Sequence, residues 1–555
     1  MIKLKSMEIK SIAAGLCLAL VSTAAFAQTA DVPKPVAKAM KKVKPADIRE
    51  HIAYLADDKL LGRQPGTPGY QMAVDYVTDQ FKKLNVLPAG EDNTYLQTVR
   101  LRTATINPNA TLQLTANSGA PENLVDGRDF AFYPNPGQEQ VTLDAPLVFA
   151  GFGISAPDMN YDDYANIDAK GKVVVILRGV PEGFPSTVSS YSMDMQTILK
   201  TAAEHGAVGV LVGSANPNGG VPNFSRGISS VMGTDGKVAA SRSYHEDIKM
   251  LGMINNNTLQ KVLTGAGVDV PQTVASIRSG HPASAPLPFS VKGSYSSSYK
   301  DIESYNVVGK IEGSDPVLKN EYVVHSAHLD HVGVGRPIDG DSIYNGAHDN
   351  ASGVASLLEI ANIYSKVKNK PKRSILIVMV TAEEMGLLGS AYFAKHPTVP
   401  AAQMVADVNT DMPTLIAPLL AVVPLGAAHS SLEEEVKQAS NFLGLDVEED
   451  PEPEQNRFVR SDQYSFVTQG VPALHIKYGN KTADGKNNLD QQVKVWREKY
   501  YHKPQDSLEG GVFDFDAAKK YVQLNFLIGY LVAQDAERPS WKPDDFFGTR
   551  FGNVQ

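Results

Sequence analysis

The sequence predicts an α/β fold: a mostly parallel mixed sheet flanked by helices, with a smaller α/β unit inserted into it. Three observations carry this. From about residue 301 onward, strand-like apolar runs alternate with helical spacing. Polar residues collect just after several of those runs, where one edge of a parallel sheet would bring them together. A separate strand–helix–strand pattern fills residues 161–214.

In chain order, residues 1–27 read as an export signal. Lys3, Lys5 and Lys10 give a basic start, Ile12–Ala24 is an apolar run, and Ala25-Phe26-Ala27 is a small-x-small cleavage site. The run is about 13 residues, short of the roughly 20 a membrane-spanning helix needs. Cys17, the one cysteine of the chain, lies in this segment, with Leu16 where a lipoprotein signal would carry a small residue. The mature chain would have no disulfide, and any metal site in it must use His, Asp and Glu. The expected location is periplasmic or secreted. At 555 residues and 43% hydrophobic, the chain is long and apolar enough for a large core. A formal net charge of −9 without a basic stripe argues against a nucleic-acid partner.

Residues 28–45 are polar and lysine-rich and read as a solvated linker or an exposed helix start. Helical spacing follows at 47–55 and 69–84, where Met72, Ala73, Tyr76, Val77, Gln80 and Phe81 share a face. The turn-rich LLGRQPGTPG separates the two. Residues 110–150 alternate as strands. In the 161–214 unit, KGKVVVILRG and VGVLVGS are strands around the helix MQTILKTAAEHGA. The Pro- and Ser-rich stretch 282–299 reads as a connector. Strands are then predicted at YNVVGKIEG, EYVVHSAH, SILIVMVTA, MVADVNTDM and GVPALHIKY. Helices are predicted at ASGVASLLEIANIYSKV and 431–442. The acidic VEEDPEPEQ, 447–455, is an exposed loop.

Several chemistry-bearing residues sit at strand ends. His328 closes EYVVHSAH, Glu383 and Glu384 follow SILIVMVTA, and Asp411 ends VADVNTD. Asp349 lies in a glycine-bearing loop before a helix, and His502 lies in the late loop YYHKPQDS. Two histidines and three carboxylates suit two zinc ions, which sit about 3.5–4 Å apart and share a bridging carboxylate. Of the adjacent glutamates, one can bind metal while the other takes a proton from the attacking water. Singly, each residue has a plainer reading: a histidine after a strand is usually structural, and paired acids usually start a helix. The combination at three strand ends favours a site.

AHLDHVG, YNGAHDNASG, TAEEMGLLGS, VNTDM and YHKPQDSLE occur in order, with LADDKLLGRQPGTPG before them and RSDQYSFVTQGVPAL between the last two. Together they resemble metallopeptidase family twenty-eight, the co-catalytic di-zinc aminopeptidases, in its larger form with a protease-associated domain. The resemblance covers nearly the whole mature chain. It implies a signal peptide at 1–27, the first part of the peptidase domain at 28–140, a protease-associated insertion at 141–290 and the catalytic domain at 291–555. It implies that Asp349 bridges two zinc ions, that His328 and Asp411 complete one site, and that Glu384 and His502 complete the other. Glu383 would be the general base, Asp330 the partner orienting His328, Tyr501 an oxyanion donor and Arg460 a substrate contact. His325, His331 and His348 are taken as structural or rim residues. The implied activity is removal of N-terminal residues from peptides with a free amine, through a metal-activated water. Carboxypeptidase or dipeptidase action on the same scaffold, glutaminyl cyclisation with one zinc, and a non-catalytic binding role are the alternatives. The first of these needs a cationic patch that the sequence does not locate.

Overall fold

The computed structural model describes residues 32–455 and 457–553; the expected export signal lies outside them. Two sheets share one strand. The larger sheet contains β1 (Leu96–Ile106), β2 (Ile228–Met232), β3 (Ala285–Ile311), β4 (Tyr322–His328), β5 (Ser374–Val380), β6 (Met404–Asn409), β7 (Ala421–Leu425) and β8 (Ala473–Tyr478). They lie in the order β2-β1-β3-β5-β4-β6-β8-β7. The four central strands, β5, β4, β6 and β8, are mutually parallel. β1, β3 and β7 join antiparallel, so the sheet is mixed with a parallel centre.

The parallel strands are buried on both faces, as crossover helices require. Along β5, Ile375, Ile377 and Met379 pack with Leu358 and Leu527, while Leu376, Val378 and Val380 pack with Phe393 and Phe466 on the other side. The first face is covered by the helices Pro45–Leu55, Ser352–Lys366 and Phe515–Gln534, the second by Leu388–Lys395 and Gln463–Val467. The helix Pro68–Lys83 starts with Pro68, while the Thr67 hydroxyl accepts from the Tyr70 N–H at 3.3 Å. Its Ala73, Val77 and Phe81 are buried.

The smaller sheet uses the first half of β3, flanked by Thr111–Ala116 and Gln140–Phe149. It continues in parallel through Val173–Leu177, Gly209–Gly213 and Met250–Ile254. Although β2 falls between these strands in sequence, it pairs with β1 at the edge of the larger sheet.

Two expectations are corrected. Residues 282–299 are not a connector: 285–299 belong to β3. Burial alternates there through Leu287, Phe289, Val291 and Tyr295, and this period-two pattern outweighs the Pro and Ser content. The proline-bearing part coincides with a register shift between Pro286 and Ser290, where the ladder is already interrupted. Residues 34–40 take the helix of the two readings offered rather than the linker, and the correction is to its exposure: Val36 and Met40 are buried in the main core. No helix among the described residues is long and apolar enough to cross a membrane.

Candidate metal centre

The carboxyl edge of the parallel strands gathers the six residues from separate loops. His328 ends β4, Asp411 follows β6, and Glu383 and Glu384 follow β5. Asp349 precedes the helix Ser352–Lys366, and His502 follows the helix Leu489–Tyr500. One Asp349 oxygen lies 3.3 Å from Nε2 of His328, and the other lies 3.2 Å from Nε2 of His502. His328 Nε2 is also 3.4 Å from Asp411, and His502 Nε2 is 3.1 Å from Glu384. The other four proposed ligands, His328, Asp411, His502 and Glu384, thus lie around the Asp349 carboxylate.

These separations fit a pair of divalent ions. Zinc bonds of about 2.0–2.1 Å put neighbouring donors of a tetrahedron about 3.3–3.4 Å apart, close to the spacing observed. The donors are imidazole nitrogen and carboxylate oxygen, with no thiolate, a set that zinc accepts. His331 differs. Its Nδ1 is 2.8 Å from the other oxygen of Glu384, an ordinary hydrogen-bond length. Together with Glu384 and Asp349 it could also hold an ion by proximity, but the shorter contact favours a role in fixing Glu384.

Main-chain partners hold the loops in place. Asp330 uses its carboxylate on the N–H groups of Glu383 and Glu384, at 3.1 and 3.3 Å. His328 Nδ1 is 3.2 Å from the Asp330 carbonyl but 3.9 Å from its carboxylate. The Asp330 carbonyl is thus the nearer partner of His328 Nδ1, while the Asp330 carboxylate binds the glutamate loop. Asp506 accepts from the N–H groups of His348 and Asp349, at 2.9 and 3.1 Å, tying the His502 loop to the Asp349 loop. Buried Arg63 donates to the carbonyls of Leu329, Asn345 and Gly346, at 3.0, 2.7 and 3.1 Å, and to that of Leu55. Asp411 is held at Oδ2 by the Ser461 hydroxyl, 2.7 Å away. Its carbonyl is held by His475 and Lys477, each at 2.8 Å. Ala382, Met412 and His502, one beside each glutamate, Asp411 and cleft loop, are left-handed at φ 55°, 45° and 53°, backbone strain of the kind concentrated at functional sites.

The electrostatics follow from burial and crowding. Burial drives Glu383 well above the usual carboxylate range, with Glu384, Asp462 and Asp411 adding to it against the pull of His328. Burial also opposes the charge of Asp349, but hydrogen bonds to His328 and His502 outweigh it and hold its pKa well below normal. Burial would lower His502, yet the same pairing with Asp349 and Glu384 raises it to about 10. Asp330 is pushed up to about 6, mainly by burial. Burial pulls Lys477 down to about 8, helped by nearby Arg497 and Arg457 against the attraction of Asp411.

A cleft of about 440 Å³ opens onto the centre, lined by Glu383, Tyr501 and Arg460 as well as His328, Asp349, Asp411 and His502. Of the residues expected at the site, Asp330 and Glu384 do not line this cleft. Tyr501 stacks on the His502 ring, 3.9 Å between centroids, and burial keeps its phenol protonated. His348 is buried against Phe513 and bonded to Asp506, and His325 is buried near Tyr364. The sequence did not single out Arg63, Asp506, Ser461, His475 or Lys477. Arg63, Ser461 and Asp506 do lie inside motifs noted there, but nothing local marks them as buried hydrogen-bond hubs.

The family model described as peptidase family M28 matches residues 306–523. A vacuolar membrane protease of Lodderomyces elongisporus is 38% identical over 95 residues, which are 17% of this chain and 9% of that protein. An aminopeptidase of Pseudomonas aeruginosa is 24% identical over 350 residues, 62% of this chain and 52% of the relative. The chain therefore spans about half, or far less, of the length of these relatives. Among solved structures, an aminopeptidase from Aneurinibacillus sp. strain AM-1 aligns at 18% identity and a TM-score of 0.48, covering 92% of this chain and 99% of that one.

Proposed function

From the match of residues 306–523 to the model of peptidase family M28, we propose that the chain is a zinc-dependent aminopeptidase that removes N-terminal residues from peptides. The shared carboxylate carries the reading: Asp349 faces His328 with one oxygen and His502 with the other. In this reading His328, Asp349 and Asp411 hold one zinc ion, and Asp349, Glu384 and His502 hold the second. Residues 141–290 are read as the protease-associated insertion.

When bound, the two ions supply Lewis-acid polarisation of the scissile carbonyl and an acidified water. The protein's own groups do the rest. Glu383, facing the cleft, takes the proton of the attacking water and delivers it to the departing amine. Asp330 fixes both glutamates through their N–H groups, which keeps the base and the ligand aimed apart. The Tyr501 phenol, kept protonated, donates to the oxyanion. Arg460, on the cleft wall, contacts substrate. The free α-amine is held by the acids around the centre.

Glu383→Gln should keep its zinc while kcat falls about 10²- to 10⁴-fold, the range general-base catalysis supplies. Near-native activity in a zinc-replete variant would overturn the base. The wild-type protein should release the first residue of free-amine peptides and not of N-acetylated ones, and chelator should stop it. Equal hydrolysis of both forms would sink the aminopeptidase reading.

A further inference from the structure

The cleft has a cationic wall for which the proposed chemistry has no use beyond Arg460. Arg457, Arg460, Lys477, Lys494 and Arg497 line the same cavity as His328, Asp349 and His502. Arg457 is paired with Asp450 and Glu452. The other four make no ion pair with a carboxylate among the described residues. Besides Asp349, Glu383 and Asp411 at the metal centre and Glu452 beside Arg457, the lining carries the acids Asp490 and Glu498, two against the four cations without an ion pair.

Two of the free cations are fixed in place. The Arg497 guanidinium lies over the Tyr501 ring, 3.8 Å from its centroid, and its Nη1 is 4.0 Å from the Met412 sulfur. Stacking occupies a face of the guanidinium and leaves the N–H fork in its plane available. Lys477 gives its ammonium to the carbonyls of Asp411 and Met412, at 2.8 and 3.4 Å, which engages two of its three donors. Both cations therefore converge on Met412, the residue after Asp411. A guanidinium held by an aromatic ring, with unspent donors beside an ammonium, suits bidentate capture of a carboxylate.

We propose that this wall is a carboxylate subsite. Its ligands are short peptides whose carboxylate, C-terminal or on an acidic side chain, reaches Arg497 and Lys477 while the free amine stays at the metal centre. The proposal rests on the aminopeptidase reading above. The cleft is then polarised to match a zwitterion, acids at one end and bases at the other. Its volume of about 440 Å³ is in the range of pockets that enclose a small ligand.

The test is steady-state kinetics of the zinc-loaded enzyme on two matched pairs, with the first residue an equimolar mixture. One pair is the dipeptide Xaa-Ala and its C-terminal amide. The other is Xaa-Glu-Ala amide and Xaa-Gln-Ala amide. The carboxylate member of one pair should have a kcat/KM about 10- to 100-fold higher, the span of a charge-assisted hydrogen bond. Preference in the first pair assigns the C-terminal carboxylate, and preference in the second assigns the side chain. Arg497→Met should collapse the preference to within about threefold, with zinc content and melting temperature showing that the variant is folded. If it does not fold, Lys477→Met takes its place. Calorimetric binding of the same pairs to the zinc-loaded Glu383→Gln protein should show the same ratio. Equal rates within both pairs, or a preference unchanged in the variants, would overturn the subsite and leave the aminopeptidase reading intact. No hydrolysis of any of the four would overturn both.

Discussion

Arg63 touches no proposed ligand, yet its loss should loosen the whole centre. It is fully buried, and its guanidinium serves the carbonyls of Leu55, Leu329, Asn345 and Gly346. Leu329 follows His328, and Asn345 and Gly346 lead into Asp349, so a single side chain ties a terminal ligand to the shared one. Arg63→Met keeps the stem and removes every donor. The Gly346 carbonyl retains the Ala351 N–H at 3.1 Å, while the other three lose their guanidinium donor. At about 1–3 kcal/mol for each buried group left unsatisfied, the loss is about 3–9 kcal/mol. Against it stands the cost of burying the guanidinium, which burial lowers from 12.5 to about 10, worth about 3 kcal/mol at 1.4 kcal/mol per pH unit. The net destabilisation should be of order 3 kcal/mol. Urea unfolding followed by the fluorescence of Trp496, which lies against His348, together with Trp541, measures it, and a competition titration with a chelator measures zinc affinity. An unchanged unfolding midpoint with zinc affinity within twofold of wild type would refute the reasoning.

Other predictions concern the centre directly. Asp349→Ala should lose both ions by metal analysis, and a variant that retained two would refute the shared carboxylate. Gly346→Ala places a Cβ 2.1 Å from the Asp349 carbonyl at a residue with φ of 60°, so it should cost about 1–3 kcal/mol and weaken zinc binding, read by melting and metal titration. In the chelated protein, the pKa of His502 is raised from 6.5 to about 10. Its pairing with Asp349 and Glu384 therefore stabilises the fold fully below about pH 6.5 and is lost as pH rises toward 10. The metal-free melting temperature should fall across that interval, less steeply in His502→Asn. Zinc must displace the same proton, so calorimetry at pH 7.5 in buffers of different protonation heat should show protons released on uptake; identical heats would argue against it.

Most candidate site residues were legible because parallel-sheet chemistry leaves a local signature. His328, Glu383, Glu384 and Asp411 each follow an apolar run, and the rule that sites form at carboxyl ends needs no tertiary knowledge. Asp349 and His502 were placed by motif resemblance rather than by strand position. What escaped was whatever depends on where a side chain turns. Asp330 sits two residues from His328 in sequence, yet only the fold shows that its carboxylate faces the N–H groups of Glu383 and Glu384, more than 50 positions on. Lys477 and Arg497 lie on different elements, and their convergence at Met412 has no counterpart in the one-dimensional pattern. At 285–299, composition pointed to a connector while alternation pointed to a strand, and alternation is the better guide because it reports which side chains are buried.

The strand Ala285–Ile311, common to both sheets, also fixes when the chain can close its larger sheet during synthesis. β1 pairs with it across long sequence distances, Arg102 with Asp301 across 199 residues. At about 5–20 residues per second, the ribosome takes roughly 10–40 s to make that stretch, and until then β2 is the partner available to nascent β1. The strands of the smaller sheet precede Ile311 in the chain and can assemble on the first half of the same strand before its second half emerges. Order of emergence therefore favours the smaller sheet as a finished template on which the rest of the protein is laid down.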